Sequence, residues 1–308
     1  MSKIATRAAY GAALARVIQE HPQVVVLDAD LTKSTNTNMA EKVCPERHFN
    51  MGIAEQNMMS VAAGLAASNK VVFASSFAMF ASGRAFEQVR NSICYPRLNV
   101  KICATHAGLS VGEDGASHQA IEDIALMRAI PEMIVIQPVD AIETEAVINY
   151  VVKHDGPAYV RLGRAAVETI NHDSYQFIFG KGSIIKKGSK LAILATGSMV
   201  QESLKAMEIL KEMGINPTLV NIHTIKPIDE DLIVELAKSH DFLVSCEEHT
   251  IIGGLGSAIS EVLVKKYPQK LVMIGVQDTF GESGKAELLF EKYGLDANSI
   301  VEAIKVHL

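Results

Sequence analysis

Short apolar runs alternate with stretches whose apolar positions recur at helical spacing along nearly the whole chain. Val24–Asp28 (VVVLD), Lys70–Ser76 (KVVFASS), Val100–Thr105 (VKICAT), Met133–Pro138 (MIVIQP) and Ala158–Gly163 (AYVRLG) read as strands. Between them the spacing predicts helices over Ala54–Ser68, Met79–Cys94, Gln119–Ile130 and Ala141–Lys153. Strands this continuously apolar, each followed by a helix, belong to a mainly parallel sheet covered on both faces. The opening MSKIATRAAYGAALARVIQEH carries Arg16 and Glu20 inside its apolar pattern, so it reads as an amphipathic helix rather than a signal peptide.

The pattern breaks after about residue 165. VETINHDSYQFIFGKGSIIKKGSK is more polar, with glycines and a lysine pair, and reads as a linker carrying a short hairpin. Alternation then resumes, with strand-like KLAILATGS, PTLVNIH, FLVSCEEH and KLVMIGV separated by helical stretches. The expected architecture is α/β: two consecutive open, mainly parallel sheets with helices on both faces, over residues 1–165 and 190–308, joined by a linker at 166–189. No internal repeat or low-complexity tract interrupts it.

Composition narrows the function. The 308 residues are 48% hydrophobic with a net charge of -6 and no basic block. Nucleic acid and anionic membrane are therefore poor partners, and no apolar run approaches the roughly 18 residues of a membrane span. Cys44, Cys94, Cys103 and Cys246 are scattered without a CxxC pair. They suit reduced thiols in the cytoplasm better than a disulfide frame or a zinc site.

Three stretches carry candidate chemistry. In FNMGIAEQNMMSVAAGLAAS a single acid, Glu55, opens an otherwise small and apolar helix. It reads either as a first-turn acid supporting the helix or as a carboxyl held in a dry pocket to exchange a proton with a ligand nitrogen. SSFAMFASGR follows a strand, where an open α/β sheet exposes its ligand crevice. Its Phe77, Met79 and Phe80 are either core or a platform for a flat heteroaromatic ring. ATHAGLSVGEDGASHQAIED is a glycine-spaced loop after another strand, with His106, Glu113, Asp114 and His118. His106 and His118 lack an HxH or HExxH arrangement, so no residue is assigned to a metal. Arg7, Ser34 and Arg164 could bind an anion or simply lie at the surface. IIGGLGSAIS has Ile259 where a dinucleotide loop needs its third glycine, and reads as a tight strand-to-helix turn.

Taken together, MGIAEQNM, SSFAMF and HAGLSVGEDGASHQ, followed by EEHTIIGGLGSAISEVL and FGESGKAELLFEKYGL, resemble the C-terminal half of transketolase, a thiamine-diphosphate enzyme. The resemblance covers essentially the whole chain. It implies a pyrimidine-binding domain followed by a transketolase C-terminal domain, and transfer of a two-carbon ketol unit between ketose and aldose phosphates. It further implies that Glu55 meets the ring nitrogen of the cofactor's aminopyrimidine, with Phe80 and Phe77 stacking on that ring and Asp30 nearby. Asp114 and His118 would contact sugar hydroxyls, His118 also stabilising charge on the reacting oxygen. Arg7, Ser34, His106 and Arg164 would receive the sugar phosphate. Where the family often has a further aromatic, three residues after Phe80, this chain has Gly83.

The family's diphosphate motif, GDG followed by an asparagine pair, does not occur in the sequence. The resemblance therefore implies that Mg2+ (or Ca2+) and the diphosphate are held by a second, N-terminal subunit, in an assembly of two copies of each chain. Deoxyxylulose-phosphate synthase and the β subunits of 2-oxo acid dehydrogenases share part of the pattern. GEDGASHQ argues against the latter and His106 against the former. A scaffold subunit that keeps the fold without the chemistry is the remaining alternative.

Overall fold

The structure is a computed structural model describing residues 3–308; Met1 and Ser2, the first residues of the expected N-terminal helix, lie outside it. That helix begins at Thr6 and ends at Glu20, after a short strand. In chain order the first half contributes β1 (Lys3–Ala5), β2 (Val24–Asp28), β3 (His48–Asn50), β4 (Val71–Ser75), β5 (Val100–Ala104), β6 (Ile134–Ile136), β7 (Ala158–Arg161) and β8 (Ala166–Glu168). The second half contributes β9 (Ser183–Lys186), β10 (Leu191–Ala195), β11 (Thr218–Asn221), β12 (Thr224–Lys226), β13 (Phe242–Thr250) and β14 (Leu271–Val276).

Beside the two-stranded antiparallel pair of β1 and β8, the strands form a seven-stranded sheet, ordered β12-β6-β7-β5-β4-β2-β3, and a five-stranded sheet, ordered β14-β13-β10-β11-β9. Both are parallel except at one edge, where β12 runs antiparallel to β6 and β9 antiparallel to β11. β2, β4, β5 and β10 are buried at every position, which is why each appears as an unbroken apolar run rather than an alternating one. Each sheet is packed on both faces, so the apolar core falls into two layers per sheet. The chain leaves β2 for β3 on one side and returns to β4 on the other. The resulting switch point opens a crevice at the carboxyl ends of β2 and β4.

Three expectations are corrected. Residues 166–189 form no hairpin: β8 pairs with β1, and β9 joins the second sheet. Strand pairing here is set by partners far along the chain, which local turn signals do not report. Residues 79–94 are not one regular α-helix but two wide-turned segments, Met79–Arg84 and Gln88–Cys94. The Ala85 N–H bonds to the Phe80 carbonyl five residues back, at 3.3 Å. The expected helix from Gln119 starts instead at Asp123: Gln119 Nε2 donates to the Leu109 and Gly112 carbonyls and the Ala120 carbonyl accepts from the Gly108 N–H, which holds the preceding loop.

That loop, residues 105–118, is tied to the second sheet. Glu248 of β13 accepts from the Ser110 N–H at 2.6 Å through Oε1 and from the Ser198 hydroxyl at 2.5 Å through Oε2. Gln119 Nε2 donates to the Glu282 carbonyl at 2.9 Å. Gly108 makes this approach possible: its φ is +85°, and a β-carbon there would lie 2.3 Å from Glu248 Oε1. Gly108→Ala is therefore expected to destabilise the protein by about 2–4 kcal/mol, combining backbone strain with overpacking. Urea denaturation checks this, and an unchanged midpoint would contradict it.

Candidate active site

The candidate side chains gather at the carboxyl ends of the seven-stranded sheet. Glu55 is the first residue of the helix Glu55–Ala67 and only 1% exposed. A buried carboxylate needs donors, and it has two. Ser76, just past β4, donates its hydroxyl to Oε1 at 3.1 Å, and Arg84 Nη1 donates to Oε2 at 2.6 Å. Arg84 is 45% exposed, and its guanidinium carbon lies 4.5 Å from the centroid of the Phe80 ring. Neither Ser76 nor Arg84 was singled out from sequence, although both lie in SSFAMFASGR. The usable signal was that this stretch follows a strand at the crevice; the partner, Glu55, is 29 residues away in the chain.

From Glu55 an aromatic strip leads to a basic corner. Phe80 and Phe77 stack at 6.0 Å between centroids, and Phe77 stacks on His106 at 3.9 Å. His118 stands edge-on to Phe80 at 5.3 Å. His106 is buried with φ +56°, and its Nδ1 lies 2.9 Å from the Thr105 hydroxyl. Burial, followed by the charges of Arg7, Arg164 and His118, lowers its pKa to about 3. It is therefore neutral across the ordinary assay range and offers one donor and one acceptor rather than a charge.

Arg7 donates to the Ser34 carbonyl at 2.7 Å, and Arg164 Nη1 to the Val111 carbonyl. Burial lowers the Arg7 pKa, and the nearby charge of Arg164 lowers it further. The two guanidinium groups feel each other's charge, and both act on the neutral His106 imidazole. Arg7, His106 and Arg164 thus come together as a group, which Ser34 joins through its backbone carbonyl.

Asp114 and Asp30 are placed differently. Asp114 is exposed at the end of the tight turn Leu109–Asp114, near His118 along the loop, whose N–H bonds back to the Gly115 carbonyl at 2.9 Å. Asp30 is exposed at φ +61°, and its Oδ1 accepts from Asn50 Nδ2 at 3.1 Å. Asn50 Oδ1 also accepts from the Gly52 N–H at 2.9 Å, which links Asp30 to the MGIAEQ loop. Below it the buried Asp28 carboxylate lies 2.9 Å from His48 Nε2 and accepts from Thr32 and Thr37, which fixes the DADLTKS turn.

Deeper still, Arg161 and Asp123 form a fully buried bidentate pair, Nε to Oδ2 at 2.8 Å and Nη2 to Oδ1 at 3.0 Å. Tyr159 donates to the same Oδ2 at 2.7 Å, and Arg161 Nη2 also reaches the Glu248 carbonyl at 3.0 Å. This pair underlies the loop carrying Asp114 and His118, and sequence reasoning passed over it. IIGGLGSAIS behaves as a strand-to-helix turn. The Leu255 and Gly256 N–H groups at the start of the helix donate to Glu247 at 2.6 and 2.8 Å, so the chain's own carboxylate occupies that helix terminus.

All four cysteines are free and buried, and no helix among the described residues is long and apolar enough to cross a membrane. Among those residues there is also no group of three or more His, Cys, Asp or Glu side chains able to hold a metal ion.

Comparison with known proteins identifies the family of the chain. Residues 2–169 match the pyrimidine-binding domain of transketolase, and residues 180–300 match the transketolase C-terminal domain. The chain is 54% identical over 301 residues to a Methanocaldococcus jannaschii protein described as a transketolase C-terminal section, covering 97% of this chain and 94% of that one. It is 41% identical over 285 residues to a 6-deoxy-6-sulfo-D-fructose transketolase subunit of Clostridium, covering 92% and 88%. A solved structure described as a split-gene transketolase in an inactive β4 tetramer superposes with a TM-score of 0.91 at 52% identity, covering 98% of this chain and 97% of that one. The chain belongs to the transketolase family, as the C-terminal section of a split transketolase.

Proposed function

We propose that this chain is one subunit of a thiamine-diphosphate-dependent transketolase that moves a two-carbon ketol unit between ketose and aldose phosphates. The observation that carries this reading is the arrangement of Glu55, Arg84 and Phe80. A planar, nitrogen-bearing group lies over the Phe80 ring while donating to the Glu55 carboxylate. An aminopyrimidine has the same two needs, a flat face to stack and a ring nitrogen facing a carboxyl, so these residues fit that half of the cofactor. The diphosphate and its Mg2+ (or Ca2+) need oxygen ligands of their own, and we assign those to an N-terminal subunit. The tetramer described as inactive for the split-gene relative supports that division, and two copies of each chain would give a symmetric closed assembly.

The bound cofactor supplies the carbon nucleophile and the electron sink; the protein orients it and tunes its protons. In this reading Glu55 holds a proton at the ring nitrogen, and Phe80 with Phe77 fixes the plane of the ring. His118, edge-on to Phe80, donates to the substrate oxygen that gains charge, and Asp114 binds a sugar hydroxyl. Asp30 helps fix the loop on the Glu55 side of the cofactor. Arg7, Arg164, neutral His106 and Ser34 receive the phosphate. Arg164→Ala is expected to raise KM for a phosphorylated ketose by about 10- to 100-fold, the loss of a charge-assisted hydrogen bond, with kcat nearly unchanged. An equal rise with an unphosphorylated ketose would place the phosphate elsewhere.

The assay that tests the activity supplies the two mixed chains with ketose and aldose phosphates, and separately with pyruvate. Ketol transfer without carbon dioxide release is expected. Carbon dioxide from pyruvate would point to the deoxyxylulose-phosphate synthase or 2-oxo acid dehydrogenase readings. A fully active complex carrying Glu55→Ala would favour the scaffold reading.

A further inference from the structure

The contact that makes Glu55 recognisable also blocks it. The carboxylate already has a short, charge-assisted hydrogen bond from Arg84 at 2.6 Å, and the guanidinium covers the Phe80 face at 4.5 Å. A ring stacking on Phe80 and reaching Glu55 would need the same carboxylate oxygen and the same ring face. Both cannot be held at once.

Arg84 is built to leave. It is 45% exposed while its partner is 1% exposed, and it ends the wide-turned segment Met79–Arg84. Beside it, Gly83 is exposed, and a β-carbon there would touch only Met79 Cε, at 3.8 Å. The guanidinium can therefore swing into solvent without repacking the core, whereas Glu55 is fixed from below by Ser76.

On the reading above, we infer that Arg84 is a tethered stand-in for the cofactor's aminopyrimidine, which keeps Glu55 paired and Phe80 covered until the ring displaces it. A site occupied by its own side chain binds an outside ligand more weakly by the fraction of time it is free. The buried carboxylate is in exchange never left without a donor, so the chain need not carry an unpaired buried charge before assembly.

The test uses thiamine itself, without its diphosphate and without metal, added to the full-length chain alone, with affinity read by titration calorimetry and ligand-detected NMR. Arg84→Met is expected to bind thiamine at least about tenfold more tightly than the unaltered chain, equivalent to ~1.4 kcal/mol. Adding Glu55→Gln should remove that gain. Arg84→Gln, which keeps a polar head but no charge, should fall on the same side as Arg84→Met and covers the case in which methionine disturbs the fold. Binding by both variants no tighter than by the unaltered chain overturns the stand-in, as does a gain that survives Glu55→Gln. The Glu55 reading is judged separately: if Glu55→Gln weakens thiamine binding in the unaltered background while the Arg84 variants gain nothing, the stand-in alone has failed.

Discussion

Glu55→Gln should lower kcat of the assembled two-chain enzyme by about 10²- to 10⁴-fold, the usual range for removing a positioned proton donor or acceptor. The substitution keeps the shape of the side chain and its hydrogen bond from Ser76. It removes the charge that Arg84 pairs with and the ability to hold a proton at a ring nitrogen. Arg84 loses its partner but is already half in water, so little stability should follow. The variant should therefore fold, assemble and bind substrate while turning over slowly. Steady-state kinetics with matched thermal denaturation separates these effects. A kcat within about threefold of the unaltered enzyme, with the fold intact, would remove Glu55 from the proton chemistry.

The second large effect is on stability. Asp123→Ala is expected to cost about 3–5 kcal/mol, because it leaves the Arg161 guanidinium fully buried without its counter-charge. Asp123 and Arg161 are both completely shielded from solvent, and Arg161 also bridges the Ala120 and Glu248 carbonyls, so it cannot turn outward to find water. Asp123→Asn, which keeps one acceptor, should cost less. The pair also sets an acid limit. Burial alone would raise the Asp123 pKa, but the charge and hydrogen bonds of Arg161 outweigh it and hold the carboxyl below its ordinary 3.8. A carboxyl depressed in the folded state contributes stability above its unfolded pKa and loses it as pH falls through the folded value. This contribution should thus be complete at neutral pH and disappear only below about pH 4, and it should be missing at every pH in Asp123→Ala. Urea midpoints across acid pH measure both, and a loss under about 1 kcal/mol would show that the site relaxes to solvate Arg161.

How far the sequence carried the reading follows from where each signal lives. Val24–Asp28 was recovered to the residue because a central parallel strand is buried on both faces, and the apolar run is itself the strand. β12 was invisible for the opposite reason: three residues from the second half complete the edge of the first sheet, a pairing with nothing local to announce it. The wide turns over 79–94 keep nearly helical spacing, so periodicity reports a helix and misses the changed hydrogen bonding.

At the site, Glu55, Phe77, Phe80, His106 and His118 were legible as isolated oddities in otherwise apolar or glycine-spaced surroundings, and the structure brings the four rings onto one strip that Arg84 joins to Glu55. Arg84 and the Arg161–Asp123 pair were not legible. A charged residue beside a helix or at a strand end looks like any solvated one until its partner, 29 or 38 positions away, is placed against it. The family resemblance supplied what spacing could not, the identity of the ring that Glu55 and Phe80 would meet.

The most direct test purifies this chain and an N-terminal chain bearing the diphosphate motif, and measures ketol transfer with thiamine diphosphate and Mg2+ for each alone and for the mixture. Two silent subunits and an active mixture are expected. Turnover by this chain alone, or a stable mixed complex with no activity, would contradict the division of the cofactor site between them.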